Sequence, residues 1–303
     1  MTSVKLERKP EKLGRLILDP KTLNMAGLDH VEVSKEISAS DTARLIEGIQ
    51  SEECVHSWKN VKLSPTNSIL NELIQSENNK RPTEFFFYIA TRNNGHQTLL
   101  AVGTVAHKIS SSFAHEGYPV IARCYIMPEF RNHRLYMPIL KHRFEFCHKF
   151  FGDRLRGIHL GSQNPRIHSV VKKNLFELPF AYIGDEYLSQ KDSFERVYDY
   201  LWFSPQLRSE LLSLSERKTD NLVLRGLNRC VRDMIENKFD STSFHRLLTF
   251  VEKAQQTDAT ILLEQSRALR EVIDFMHAVP LINESVKTEP VIVPTNTRTG
   301  KAA

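Results

Sequence analysis

The sequence predicts an α/β (α+β) fold: a mixed central sheet flanked by helices, with an all-helical module toward the C-terminus. Three observations predict it. Two apolar runs, EFFFYIATR (84–92) and QTLLAVGTVAHKI (97–109), flank the turn NNG (93–95), a hairpin signal because Asn and Gly tolerate positive φ. Between 119 and 177 strand and helix periods alternate, as in a chain that lays helices against a sheet. Beyond Pro205 the apolar residues recur only at helical spacing.

Taken in order, residues 1–30 have mixed character and predict no element. In SASDTARLIEGIQ (38–50), Ser40 or Asp41 can cap a helix whose Ala43, Leu45, Ile46 and Ile49 fall on one face. SILNELIQSE (68–77) predicts a second short helix by the same spacing. After the hairpin, PVIARCYIM (119–127) predicts a strand with Val120, Ala122, Cys124 and Ile126 on one face and Ile121, Arg123, Tyr125 and Met127 on the other.

Pro128 ends that strand in a polar loop. Leu135, Ile139, Leu140, Phe144 and Cys147 then recur at helical spacing, and Gly152 is a natural stop. RGIHLGSQN (156–164) predicts a short strand entering a polar turn. PRIHSVVKKNLFE (165–177) predicts a helix with proline at its first position and Asn164 placed to cap it. PFAYIG (179–184) and FERVYDYLWFSP (194–205) supply two more short strands. QLRSELLSL, NLVLRGLNRCVRDMIENKF, SFHRLLTFVEKAQQ and ATILLEQSRALREVIDFMH predict about four amphipathic helices. The expected divisions are an N-terminal segment (1–34), the sheet domain (35–204), the helical module (205–282) and a disordered tail (283–303) with little to bury.

Composition excludes several classes. At 303 residues and 35.0 kDa, with 41% hydrophobic and 25% charged residues, the chain can bury a substantial core. Lys and Arg exceed Asp and Glu by 41 to 36, a net charge of +5, which favours acidic partners but is too small to imply nucleic acid. Cys54, Cys124, Cys147 and Cys230 lie far apart and show no metal-ligand spacing, so no zinc site or disulfide framework is signalled and a cytoplasmic setting is expected. No apolar run approaches the roughly 18 residues needed to span a bilayer.

The element order and residues 120–180 resemble the GNAT superfamily of N-acyltransferases. YIMPEFR (125–131) is similar to the phrase V-x-P-E-[YF]-R that ends a central strand of that family. HLGSQN (159–164) stands where a second strand ends near an Asn, and NLFELPFAYIG (174–184) where a closing pair of residues would fall. The resemblance covers about 35–203. It implies that two parallel strands splay apart, so that the pantetheine of an acyl thioester bonds to their open edges beside Ile126 and Met127, while the next loop and helix N-terminus receive phosphate. The thioester would then be a co-substrate, and no tightly bound cofactor or metal is implied.

The loop departs from the family's R/Q-x-x-G-x-G/A. It reads RNHRLY, with Arg134 and Tyr136 where glycines are usual, and side chains there would obstruct the approach of backbone to phosphate. Arg131, Asn132, His133 and Arg134 can instead grip phosphate with side chains or face an acidic protein. A related branch, the N-acyl amino acid and acyl-homoserine lactone (autoinducer) synthases, takes its acyl group from acyl carrier protein. ARCYI (122–126) resembles that branch's S-R-[FL] phrase. By this resemblance Arg123 and Tyr125 contact the acceptor, although Arg123 is equally suited to pairing with a surface carboxylate.

Amide formation needs a proton acceptor, an oxyanion donor and an acid for the leaving thiolate. Glu129 and His159 are the candidates for proton transfer, His159 being equally a packed structural histidine. Asn164 contacts the donor or serves only as a cap. The tyrosine that often supplies the acid is replaced, its matching positions holding Val171 and Lys172. The aromatic run FFFY (85–88) fits core, its outward alternate residues being equally placed to line an acyl or acceptor pocket. The expected activity is N-acyl transfer from a thioester, carrier protein preferred to coenzyme A, to the amine of a small metabolite. The alternatives are an acetyl-coenzyme A-dependent transferase and a non-catalytic relative that uses the helical module for binding or homodimerisation.

Overall fold

A computed structural model describes residues 12–53, 57–58, 61–62, 83–106, 117–162, 164–174, 177–178, 180–190 and 193–236, with 246–247, 249–250, 253, 269 and 271 beyond them. The elements, in chain order, are β1 (Lys12–Leu16), α1 (Pro20–Ala26), β2 (Leu28–Ser34), α2 (Ala39–Glu53), β3 (Ser57–Trp58), β4 (Val61–Lys62), β5 (Thr83–Arg92), β6 (Gln97–Ala106), β7 (Val120–Ile126), α3 (Tyr136–Phe151), β8 (Gly157–Ser162), α4 (Pro165–Lys173), β9 (Ala181–Gln190), β10 (Ser193–Phe203), α5 (Pro205–Ser215) and α6 (Leu222–Ile235). Eight strands form one sheet in the order β1-β2-β5-β6-β7-β8-β10-β9, and β3 and β4 form a separate ribbon. Every pairing in the large sheet is antiparallel except β7 with β8.

The mixed sheet flanked by helices is the architecture the sequence predicts, and the sheet extends further toward the N-terminus than expected. Residues 12–34, which predict no element, supply two antiparallel strands that join β5. Between them α1 is held by the Asp19 carboxylate, which accepts from the Thr22 N–H (3.0 Å), and ends at Gly27 with φ +66°.

Helix α2 forms as expected, with a different cap. The Asp41 N–H donates to the Ser38 hydroxyl (3.0 Å), which leaves the Asp41 carboxylate to accept from the Leu99 N–H (3.1 Å) and tie the first turn of α2 to β6. Leu45 and Ile49 are buried, whereas Ala43 is exposed. The expected helix at 68–77 lies outside the described residues.

The β5–β6 hairpin turns at 93–96, where Gly95 adopts φ +78° and donates to the Arg92 carbonyl (2.7 Å). Phe85–Tyr88 are all buried, as are Thr98–Val105. Such unbroken burial follows from helices covering both faces of the sheet. FFFY is therefore core.

Helix α3 covers one face. Its Arg143, 1% exposed, lies across Gly103 of β6, and its His142 and Phe146 meet Phe86 edge-on. Tyr88 and His142 share a hydrogen bond (3.1 Å). Burial, with the nearby Arg143 and Lys35 charges adding to it, lowers the His142 pKa to about 4, so the ring is neutral near pH 7. Helix α2 covers the other face, its Gly48 close against Tyr125 of β7 and Met127 just after that strand.

β9 and β10 pair as a hairpin, and β10 returns to β8. From β10 the chain enters α5 and α6, capped by Ser204 and Asn221. The apolar residues of these helices, Leu207, Leu211, Leu214, Leu227, Val231 and Met234, form a second core with Leu201 and Phe203 of β10. A polar clamp joins this module to the sheet: Arg156 donates to both Glu210 carboxylate oxygens (2.9 and 2.7 Å) and to Glu271 (3.0 Å), which also accepts from the Tyr118 hydroxyl (3.0 Å). Among the described residues no helix is long and apolar enough to cross a membrane. The expected tail, 283–303, lies outside the described residues.

Candidate functional site

Strands β7 and β8 pair for only two residues, Val120 with His159 and Ile121 with Leu160. Beyond that β7 continues to Ile126 and β8 to Ser162 without pairing to each other, so an opening widens between them. The register of β7 against β6 jumps from Gly103–Cys124 to Thr104–Ala122, leaving Arg123 as the extra residue of a bulge where the strands begin to part. The strict alternation expected over 119–127 is thereby broken at Arg123. The side chain of Arg123 lies outside the described residues.

Backbone groups alternate in direction along a strand. The Met127 N–H is bound to the Leu100 carbonyl of β6 (2.9 Å), so Ile126, one residue earlier, directs its N–H and carbonyl away from β6 and into the opening. The Arg131 Nε donates to that Ile126 carbonyl (2.9 Å), and its guanidinium lies 5.2 Å from the Tyr125 ring centroid. Arg131 thus folds back along the edge of the opening. The Tyr125 ring is buried, facing α2.

Pro128–Phe130 form a single 3-10 turn, and the loop to α3 then runs through Asn132 and Arg134, both at positive φ (+68° and +57°). Arg134 adopts the left-handed backbone for which glycine is usual there. Its side chain is exposed, as is that of Asn132, whereas the buried Nδ1 of His133 has no hydrogen-bond partner among the described residues. Tyr136, at the second departure from the family phrase, packs its ring against the core, where burial pushes its phenol pKa up. Helix α3 begins without a side-chain cap or an acidic residue in its first turn, so its leading N–H groups face the loop with no competing anion.

Across the opening, Asn164 caps α4, its side-chain oxygen accepting from the Arg166 N–H (2.9 Å). Glu129 sits on the turn after β7 and forms an ion pair with Arg44 of α2 (2.5 Å). His159 is placed at the closed end of the opening, 3% exposed and opposite Val120, away from Ile126 and Met127. The opening therefore gathers Ile126, Met127, Arg131 and the 132–134 loop, with Glu129 beside it and His159 outside it.

Three features carried no local signal. The His168 Nδ1 of α4 and the Tyr200 hydroxyl of β10 lie 2.6 Å apart, with the His168 ring stacked on Tyr198 at 4.0 Å. Burial pushes the Tyr200 phenol pKa up, and the Tyr136 and Tyr198 hydroxyls push it further. Arg44 reaches Glu129 and the Thr98 hydroxyl, and Arg92 stacks over Phe130 at 5.2 Å. Only the pairing of distant strands brings these residues together. Among the described residues no group of three or more His, Cys, Asp or Glu is placed to hold a metal ion.

No family model matches the chain, and no curated protein does. Among solved structures it is similar to the spermidine/spermine N-acetyltransferase SpeG from Vibrio cholerae, with 12% identity over 59% of this chain and 94% of that one, at a TM-score of 0.37. RimJ from Mycobacterium smegmatis, solved with CoA-disulfide, has 15% identity over 65% of this chain and 90% of its own, at a TM-score of 0.42. A GNAT-family acetyltransferase from Streptococcus pneumoniae has 13% identity over 57% and 99%, at a TM-score of 0.39.

Proposed function

We propose that the chain is a GNAT-type N-acyltransferase that passes an acyl group from a thioester to the amine of a small metabolite. The observation that carries this reading is the parting of β7 from β8 after two paired residues, directly before a turn and an uncapped helix N-terminus. Pantetheine is an extended chain with two amides, and an opened strand edge offers it N–H and carbonyl partners. The phosphate beyond it meets the first N–H groups of α3 and the guanidinium of Arg134.

In the proposed reaction the ammonium of the acceptor first loses a proton, for which Glu129, a residue of the turn itself, is the proposed acceptor. The free amine attacks the thioester carbonyl, and the Ile126 N–H, directed into the opening, stabilises the oxyanion. As the tetrahedral intermediate collapses, the C–N bond is kept, the C–S bond breaks, and the proton that the attacking nitrogen gives up passes to the departing thiolate. His159 is assigned to packing in this reading, because its strand position is paired and closed. Asn164 contributes as the cap that turns the chain away from the opening, and Arg123, at the bulge of β7, and Tyr125, against α2, are the positions of that strand proposed for the acceptor.

Two donors fit. Arg134 keeps the left-handed backbone of a phosphate loop, which supports coenzyme A. Its exposed guanidinium with Asn132 and His133 suits an acidic carrier protein, the donor the sequence favours. A cytoplasmic enzyme acting on a diffusible amine, with an N-acyl amino acid as product, is the finer form of the proposal. The deciding measurement is calorimetric binding of octanoyl and palmitoyl carrier protein against the matching coenzyme A thioesters and acetyl coenzyme A, with Arg131→Ala and Arg134→Ala. Binding of either donor class that weakens in the arginine variants supports the reading and names the donor. Binding of neither would sink it and leave a non-catalytic relative of the fold.

A further inference from the structure

A cleft of about 770 Å³ lies on the α2 face of the sheet, lined by residues of β2, β5 and β6 and the first turns of α2. It is separate from the β7–β8 opening, and the Pro128–Phe130 turn joins the two. At the turn end stand Arg92, stacked over Phe130, and Arg44, bound to Glu129. At the far end stand Glu32 and Glu36, on and just after β2. Glu32 of β2 stands opposite Ile89 of β5, and Arg92 lies three residues further along β5, so these ends are one strand spacing apart across the sheet and about 10 Å apart along it.

The charges differ in how far they are satisfied. Asp41 is held by the Leu99 N–H and the Ser38 hydroxyl, and Arg44 by Glu129 and Thr98. Arg92 is different. Its guanidinium makes only the ring contact with Phe130 among the described residues, so its N–H donors are held in place by stacking and offered to the cleft. The Glu36 carboxylate likewise has no partner among the described residues, since only its backbone is engaged, with Ser34. A cleft with a fixed guanidinium beside the reacting turn and carboxylates at its other end is matched by a molecule with the opposite order of charge.

We infer that this cleft is the acceptor site, and that the acceptor is a basic α-amino acid of the arginine, lysine or ornithine kind. Its α-carboxylate pairs with Arg92, which holds the adjacent α-amine at the turn, and its side chain runs along the cleft over Ile89 and Ile37 to the Glu36 carboxylate, beside Glu32, which already pairs with His30 (3.9 Å). This inference rests on the proposed acyltransfer for its purpose but not for its test, which requires no donor.

Calorimetry of L-arginine, L-ornithine, citrulline and agmatine against the full chain makes that test. Citrulline keeps the α-amino acid group without the distal charge, and agmatine keeps the charge without the carboxylate. Expected is binding of arginine or ornithine at least about tenfold tighter than of either analogue, since a charge-assisted pair contributes about one decade or more. Arg92→Gln is expected to remove the preference over agmatine, and Glu36→Gln to narrow the preference over citrulline, with unchanged melting temperatures showing that both variants are folded. Equal binding of agmatine and arginine would overturn the carboxylate assignment. Absence of binding by all four to the unmodified chain would overturn the site itself while leaving thioester binding at the β7–β8 opening intact. Loss of thioester binding with amino acid binding retained would overturn the acyltransferase reading instead.

Discussion

Arg143 of α3 crosses the backbone of Gly103 in β6 so closely that its Cδ lies 3.0 Å from where a Cβ would stand, with Nε at 3.1 Å and Cζ at 3.3 Å. The guanidinium is buried there, its Nη1 directed at the Thr104 carbonyl. This contact sets how near α3 approaches β6, the strand against which β7 is paired.

Gly103→Ala is therefore expected to destabilise the fold by about 1–3 kcal/mol, the usual cost of forcing an added methyl into a packed core. Urea denaturation midpoints measure it. Gly48→Ala is the control: its added methyl meets the end of the Tyr125 side chain at 3.0 Å, and the gain in helix propensity offsets the crowding. Its midpoint should move little. Equal loss in both variants would mean that the Arg143 contact has no special cost.

Arg134→Gly should raise stability by about 1 kcal/mol, because a non-glycine residue at φ +57° carries roughly that strain. The same change removes the exposed guanidinium. If thioester affinity falls while the melting temperature rises, the side chain binds the donor. If both rise, the backbone of the loop is the phosphate-binding element.

His142 gives a pH dependence of definite sign. Its pKa falls from 6.5 in the unfolded chain to about 4 in the fold, so between these values the unfolded state binds more protons. Stability is unaffected above about pH 6.5, falls as pH drops from there toward 4, and then levels. With allowance for the ring's partial exposure the loss is about 2 kcal/mol. His142→Gln should flatten that part of the curve in urea melts at pH 7, 5.5 and 4.5; an unchanged slope would show that the ring is protonated in the native state.

Thiol reactivity should be low in the native state. Burial pushes the Cys147 pKa up to about 12 and also raises those of Cys124 and Cys230. A three-unit rise from the ordinary value near 9 cuts the thiolate fraction about a thousandfold at pH 8. In a Cys54→Ser background a thiol reagent should label the protein only after urea is added. Rapid labelling of Cys124 in the folded protein would show that the β7 edge opens in solution.

What could be read from the sequence was local. Gly152, the Asn164 cap with Pro165, the turn ending at Gly95 and the break at Pro128 each act within a few residues, and the structure places all of them as the sequence predicts. The five-residue strand Lys12–Leu16 was hidden because it is short and lies at the edge of the sheet, where neither face imposes a clear period. The bulge at Arg123 was hidden because register depends on the neighbouring strand. The candidate site divides in the same way: PEFR marks the turn, but the Arg44–Glu129 and Tyr200–His168 pairs span 85 and 32 residues and exist only once the sheet has formed.

The clamp at Arg156 bears on how the chain is made. Its partner Glu271 is 115 residues away, and the Tyr118 hydroxyl that shares Glu271 is 153 residues away. During synthesis the strands that form the opening emerge long before that carboxylate does. At about 5–20 residues per second, Arg156 waits roughly 6–23 seconds for Glu271 after it has itself been incorporated. Until Glu210, 54 residues on, has been made neither carboxylate is there to hold Arg156, and from then until Glu271 appears Glu210 serves without it, so a ribosome-bound chain stalled between positions 156 and 271 should be more readily cleaved near β8 than the released protein.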